Sequence, residues 1–307
     1  MVEAVICIPS FRRPEGLRRT LASLAAQQTR ISFAIVVIDN DAAGRQAEAV
    51  ASAFFREAGI AGNCTVEERQ GNCHAINAAF SGAMTWFPEA EFFLMIDDDE
   101  TASPTWLEEI VSTARRFEAD IAGGPVHRKF DGAIDTGIAR HQLFFSISAP
   151  TGPIGMIHGT GNCLIRRRVF EALPQPYFDL SFNFLGGGDM DFFTRCHKRG
   201  YRFAWSDEAR VTEHVAADRV TARWLMTRSI RTGTINYLID RKHAAGIVGR
   251  LHVEAKNVAS LGLSLWRGLV AFARTGSPLQ ASHPVLMSCG RLLGTFRMIQ
   301  SPYRFNS

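Results

Sequence analysis

The first hundred residues alternate between short apolar runs and helix-length segments, and that alternation constrains the fold more than any other feature. "EAVICIPS", "FAIVVIDN", "NCTVEER" and "EFFLMI" read as strands rich in Val, Ile and Phe. "PEGLRRTLASLAAQQ", "AGRQAEAVASAFFREAG" and "NCHAINAAFSGAMTWF" read as the helices between them, the first with Pro14 near its start. Strands of that kind alternating with helices predict a mostly parallel, Rossmann-like sheet with helices on both faces, an α/β fold. In such sheets ligands bind beyond the carboxyl ends of the strands. Three of the four strands end there in polar groups: Ser10 with Arg12, Asp39-Asn40-Asp41, and Asp97-Asp98-Asp99.

The last of these ends raises a question of charge. Side by side, Asp97, Asp98 and Asp99 repel one another unless a cation joins them. A solvated acidic turn would explain an isolated run. Here the preceding apolar strand fixes the acids at a strand end, which favours a bound cation. "DDDET" also satisfies D-x-D-x-T, the signature of haloacid-dehalogenase-like phosphatases, whose first Asp is a nucleophile. Three strand-helix units precede the motif here, whereas in those enzymes it opens the sheet. The only lysine between Thr101 and Asp189 is Lys129, in an ordinary "HRKF".

Beyond residue 100, Ser103 and Pro104 predict a capped helix start, "ADIAGGPV" a strand, and "GTGNCLIRRRVFEAL" a strand passing into a helix. Residues 127–188 are richer in Gly, Pro and aromatics and less regular. "LGGGDMDFFTRCHKRGY" is a Gly-rich loop that opens a helix at Asp189, where an acid suits the helix dipole. From residue 220 the chain reads as helical and basic. Residues 1–218 hold 21 Lys and Arg against 28 Asp and Glu, while residues 219–307 hold 13 against 2. So basic a segment calls for an anionic partner. The apolar run "VASLGLSLWRGLVAFA" contains Arg267; it is too short and too charged to span a bilayer, but as a helix it would lie in the interface. Its aromatics stand among aliphatics and offer no separate stacking platform, so nucleic acid is not expected as a partner.

Six cysteines without a C-x-x-C pair suit reduced thiols in a reducing compartment. The N-terminus carries no basic leader or cleavage site, and no apolar run of spanning length occurs, so a cytoplasmic location is expected.

Taken in order, "VICIPSFRRPEGLRRTLASLAAQ", "AIVVIDND", "RQGNCHAINAA", "FFLMIDDDE", "GTGNCLIRRRVF" and "GGGDMDFFTRCHKRGYRFAW" resemble the family 2 glycosyltransferases of GT-A fold, over roughly residues 3–215. The resemblance implies a nucleotide-sugar-binding half at 1–100, an acceptor-binding half of the same domain at 101–218, and a mainly helical C-terminal extension at 219–307. Its activity would be inverting transfer of one sugar from a nucleotide-sugar, here a UDP-sugar, to a saccharide or lipid-linked acceptor, as in exopolysaccharide or glycolipid synthesis. Positions matching Pro9, Ser10, Arg12, Asp39 and the loop Arg69 to Asn72, Gly71 included, line the base and ribose pocket in that family. Asp97 and Asp98 fall near metal, ribose or donor sugar. Asp99 is the first-choice ligand for Mn²⁺ or Mg²⁺, because a divalent cation neutralises the charge that develops on the leaving diphosphate. His214, in "VTEHV", matches a third metal ligand.

Asp189 matches the general base, although Gly188 replaces the Glu usual before it; Asp191 competes for the role. "VTARW" has Val220 where the Q-x-x-R-W box of processive synthases has Gln, which favours single-sugar transfer. A protein that binds nucleotide-sugar without turning it over is the alternative to transfer. With a lipid-linked acceptor, the basic segment would dock peripherally on the inner face of an anionic membrane.

Overall fold

The computed structural model describes residues 1–296. Strand β1 (Ala4–Ser10), helix α1 (Pro14–Ala25), β2 (Phe33–Asp39), α2 (Gln46–Ala58), β3 (Gly62–Val66), α3 (Asn72–Trp86) and β4 (Phe92–Ile96) follow one another as the alternation predicts. Strands β3, β2, β1 and β4 lie side by side in that order, all parallel. Burial on both faces explains why β1 and β4 are continuous apolar runs rather than alternating ones. Val5 and Cys7 pack towards α3, while Ala4, Ile6 and Ile8 pack towards Leu17, Leu21 and Leu24 of α1.

The chain continues through β5 (Glu100–Ala102), α4 (Trp106–Arg116), β6 (Ile121–Gly123), β7 (Val126–Phe130), the single turn α5 (Thr136–Ala139), β8 (Gly152–Ile154), β9 (Asn162–Arg166), α6 (Arg167–Ala172), α7 (Gly188–Lys198), β10 (Phe203–Trp205) and β11 (Val211–Val215). Strands β9, β6, β10 and β8 extend the same sheet beyond β4, with β9 antiparallel to both neighbours. A second, three-stranded sheet in the order β5-β11-β7 stands beside the first. It was not foreseen from sequence: β5 is three residues long and begins on an acid.

One expected cap is corrected. Helix α4 starts at Trp106 behind Thr105, and Ser103 contributes its backbone carbonyl to Trp106 N–H rather than a hydroxyl cap. Pro104 occupies the bend before the helix. Cys7, Cys73, Cys163 and Cys196 are buried free thiols.

After β11 the chain forms three long helices, α8 (Ala222–Lys242), α9 (Gly246–Thr275) and α10 (Pro278–Thr295). Helix α10 lies hard against α8, where Gly233 and Gly290 bring each backbone within about 2 Å of where the other's Cβ would stand. The bundle meets the rest of the protein through Leu225, Trp224 and Leu279, which pack on Phe144 and Val215. Residues 297–307, the end of the segment expected to be helical, lie outside the described residues.

Candidate active site

The three aspartates occupy the turn between β4 and β5, and each has a different environment. Asp98 is buried; its Oδ2 accepts from Ser10 Oγ at 2.8 Å and from Phe11 N–H at 3.3 Å, and its Oδ1 from Arg13 Nη1 at 3.0 Å. Asp99 Oδ2 accepts from the same Arg13 nitrogen at 2.7 Å, and Arg219 stands 3.6 Å away. Burial opposes the charge on Arg13, but Asp99 and Asp98 outweigh it and hold the guanidinium firmly protonated. Part of the cation that the acid run requires is therefore an arginine of the chain itself.

Asp97 is on the other side of the turn. Its N–H donates to Glu100 Oε2 at 2.9 Å, and Glu100 is 3% exposed. Burial, with Asp99 and Asp98 close by, pushes the Asp97 carboxyl up to about 8. Burial and Asp97 push Glu100 well above the usual carboxylate range. Two neighbouring acids that are costly to ionise together leave an unmet demand for positive charge.

The sequence-predicted donor residues gather at adjacent strand ends. Pro9 pairs with Ile38, and Ser10 with Asp39, in the β1–β2 register. Both Asp39 oxygens accept backbone N–H groups, from Asp41 and from Glu48 in the first turn of α2, so Asp39 shapes the turn it stands in. Arg12 adopts a left-handed backbone (φ 54°) and grips Asp41 with Nε at 3.0 Å and Nη2 at 3.3 Å. That turn sends Arg12 and Arg13 to different acids. Arg69 pairs with Glu67 on the loop after β3. Asn40 holds this loop, its amide donating to the Glu67 and Arg69 carbonyls and its Oδ1 accepting from Gly71 N–H. Gly71 (φ 128°) passes so close to Asn183 that a Cβ would lie 2.0 Å from the amide nitrogen. Asn183 in turn accepts from the Cys73 and His74 N–H groups and caps α3, leaving Asn72 exposed at its start.

His214 and Glu213 are successive residues of β11 and so point to opposite faces. The His214 N–H donates to the Asp99 carbonyl at 2.9 Å. Burial, Arg19 and Lys129 hold its ring below the usual histidine range. Glu213 is the side chain on the aspartates' side: Arg219 reaches it at 3.3 Å as well as Asp99, and it raises both Asp97 and Glu100. The structure thus brings Glu213 to the acid cluster, and the His214 ring, on the other face of β11, still feels the charge of Asp99. Among the described residues no three His, Cys, Asp or Glu side chains surround one metal position.

Asp189 opens α7 across a narrow loop from the aspartates. Its Oδ2 lies 3.9 Å from where a Cβ of Gly159 would stand, and a Cβ on Gly161 would lie 3.2 Å from Asp97 Oδ2. One Gly159-Thr160-Gly161 segment therefore separates the two acidic groups. Burial raises the Asp189 carboxyl above its ordinary range. Asp191 is different. It is fully buried and bonded to Arg195 Nε (3.0 Å), Lys242 Nζ (2.7 Å) and His243 Nε2 (3.0 Å).

A mostly parallel sheet with acids at adjacent strand ends, and a further acid across one loop, is an arrangement of the GT-A type. The chain belongs to glycosyl transferase family 2, whose sequence model matches residues 5–173. It is 31% identical over 275 residues to the succinoglycan biosynthesis protein ExoM of Rhizobium meliloti, spanning 84% of this chain and 80% of that one. It is 27% identical over 237 residues to the O-antigen biosynthesis protein RfbC of Myxococcus xanthus, of which the match spans 17%. Among solved structures, the fold matches the mannosyltransferase PcManGT of Pyrobaculum calidifontis, in complex with GDP-Man and Mn²⁺, at TM-score 0.65 and 14% identity, covering 96% of this chain and 87% of that one. It also matches S. aureus TarS 1-349 with UDP at TM-score 0.50 and 14% identity, covering 96% and 91%. The protein is thus a glycosyltransferase. The phosphatase alternative falls away.

Proposed function

We propose that the enzyme moves a single sugar from a nucleotide-sugar, a UDP-sugar by preference, to a saccharide or lipid-linked acceptor during polysaccharide assembly in the cytoplasm. The relatives in succinoglycan and O-antigen biosynthesis support the pathway class. The observation that carries the reading is the pair of acidic groups flanking one glycine-bounded loop, Asp97–Asp99 on one side and Asp189 on the other.

The donor set at the aspartate turn fits a hard divalent cation of the Mn²⁺ or Mg²⁺ kind. It is all oxygen, it contains acids whose ionisation is suppressed by burial and by one another, and one or two carboxylates suffice when substrate phosphates complete the shell. Asp99 with Asp97 would hold the ion, and His214 supports that turn through its backbone N–H. When bound, the ion would neutralise charge on the departing diphosphate. Ser10 and Asp98, bonded to each other at the end of β1, suit the ribose, and Arg12, Asp39 and the loop Arg69–Asn72 form the rim around the base.

Asp189 would act on the acceptor. Its raised pKa makes it a better proton acceptor than an exposed aspartate. As the acceptor oxygen bonds to the anomeric carbon, its proton passes to Asp189 and the bond to the diphosphate breaks. One displacement inverts the anomeric centre.

Calorimetry of UDP binding tests the donor half of this scheme. Mn²⁺ should tighten binding to the native chain at least tenfold, and Asp99→Ala should abolish the difference. Equal affinity with and without Mn²⁺ for the native chain would remove the metal from the account.

A further inference from the structure

Helix α9 is built inside out. The residues it buries against α10 and α8 are mostly small or polar: Asn257, Ser264 and Gly268, with Val253. Polar bonds hold that seam together. Arg291 Nε donates to Asn257 Oδ1 at 2.8 Å, Asn257 donates to Thr295 at 3.1 Å, and Ser260 and Ser288 share a bond of 2.9 Å. Small residues joined by buried polar groups are how helices associate where the surroundings are themselves apolar.

The opposite side is a ridge. Leu251 (64% exposed), Val258, Leu265, Trp266, Leu269 and Phe272 stand out from the protein. Ile247 and Val248, at 76% and 81% exposed, extend the ridge to the helix start. At 3.6 residues per turn these side chains fall within a sector of about 120°, and at 1.5 Å per residue the ridge is roughly 38 Å long. Glu254 is the one charged residue of the helix within that sector, and it is paired with Arg241. Of the exposed cations of the helix, Arg250 stands at its edge, while Lys256, Arg267 and Arg274 fall on the side turned away from it. A continuous apolar surface of this size marks a contact site.

Charge identifies the occupant. The two acids of residues 219–307 are spent internally, Asp240 on Lys256 and Arg291, and Glu254 on Tyr237 and Arg241. On α9, Arg250, Arg267 and Arg274 are exposed and joined to no acid among the described residues, so the outward balance there is positive. Two copies of this chain mated through the ridge would bring two such surfaces together, whereas an anionic bilayer would gain from each one. Beside the ridge, a cleft of about 520 Å³ between α9 and α10 is lined by Trp266, Arg267, Arg274, Ser264 and Gln280. It places cations and hydroxyls where a lipid headgroup would sit if the ridge entered the acyl boundary.

We infer that α9 seats the enzyme on an anionic phospholipid surface, the ridge buried among acyl chains and Arg267 and Arg274 on the headgroup phosphates. Among the described residues no helix is long and apolar enough to cross a membrane, so the contact is one of lying on the surface. Its purpose, to hold the site near a lipid-linked acceptor, rests on the function proposed above.

Flotation with vesicles of equal parts phosphatidylglycerol and phosphatidylcholine tests the inference on the full chain. The native protein should float at low salt, bind pure phosphatidylcholine at least tenfold more weakly, and lose most of its binding at high salt. The exposed-ridge variant Leu265→Gln/Leu269→Gln/Phe272→Gln should bind at least tenfold more weakly, and Arg267→Gln/Arg274→Gln should lose the advantage of anionic lipid. In the unsubstituted protein, acyl-brominated lipid should quench part of the tryptophan fluorescence, and Trp266→Phe should remove that part. Native chain that stays at the bottom at low salt overturns the inference. So does unchanged flotation of the ridge variant, or a dimer that the ridge variant disperses without any lipid binding. Donor hydrolysis measured without vesicles reports on the catalytic reading separately, and the ridge variant should keep it.

Discussion

Asp189 and Asp191 stand two residues apart at the start of one helix, yet their surroundings give them different work. Asp191 is encircled by Arg195, Lys242 and His243 and ties α7 to the end of α8. Removing one partner of such a buried network leaves charge uncompensated, at a cost of about 3 kcal/mol or more. Asp189 borders the loop next to the aspartate turn. Asp189→Asn should therefore lower turnover roughly a hundredfold or more, the scale of losing a general base, with donor affinity nearly unchanged. Asp191→Asn should instead lower the unfolding midpoint. A folded Asp191→Asn enzyme without activity, alongside an active Asp189→Asn enzyme, would transfer the base to Asp191. Sequence alone offered both acids and could not separate them, because what distinguishes them arrives from α8, about fifty residues further on. Arg13 was hidden for a similar reason. Only the left-handed turn at Arg12 shows which of two adjacent arginines meets the aspartates.

At the scale of elements, "VTEHV" shows a signal that was present and unused. Val211 and Val215 are buried, and a period of two puts Glu213 on their face and His214 on the other. The long, strongly periodic segments and the strand that became β9 were legible from the start; β5 and the antiparallel direction of β9 were not, since neither a three-residue strand nor strand direction leaves a mark in hydrophobic pattern. The segment around α5 makes its own prediction. His141 is 1% exposed, its ring edge-on to His283 at 5.0 Å, and burial followed by His283 lowers it to about 4. The native state then binds fewer protons than the unfolded chain between about pH 4 and 6.5, so this histidine's contribution is whole above that window and lost as pH falls through it. Asp97 and Glu100, raised in the native state, act in the opposite sense, so the useful quantity is a difference. The stability of the native chain relative to His141→Gln should fall by up to about 1.4 kcal/mol per pH unit across the window, measured by urea unfolding. A difference that does not change with pH would contradict the burial argument.

Across the whole molecule, one sheet carries the acidic groups at its carboxyl edge while charge is divided between two regions. Residues 1–218 are net acidic and carry the site, and residues 219–307 are net basic and carry the outward ridge. That division was visible in composition. What composition could not reveal is that α9 turns its polar side inward, because the apolar content of a helix is the same whichever way it faces. The central claim is that the aspartate turn and Asp189 together transfer sugar from a nucleotide-sugar. The most direct measurement is release of nucleoside diphosphate from a panel of UDP-, GDP- and other nucleotide-sugars in the presence of Mn²⁺. The account predicts slow release from one donor class, a UDP-sugar first among them, lost in Asp99→Ala and strongly reduced in Asp189→Asn. Release that both variants retain in full, or a folded native enzyme that neither binds nor cleaves any member of the panel, would contradict it.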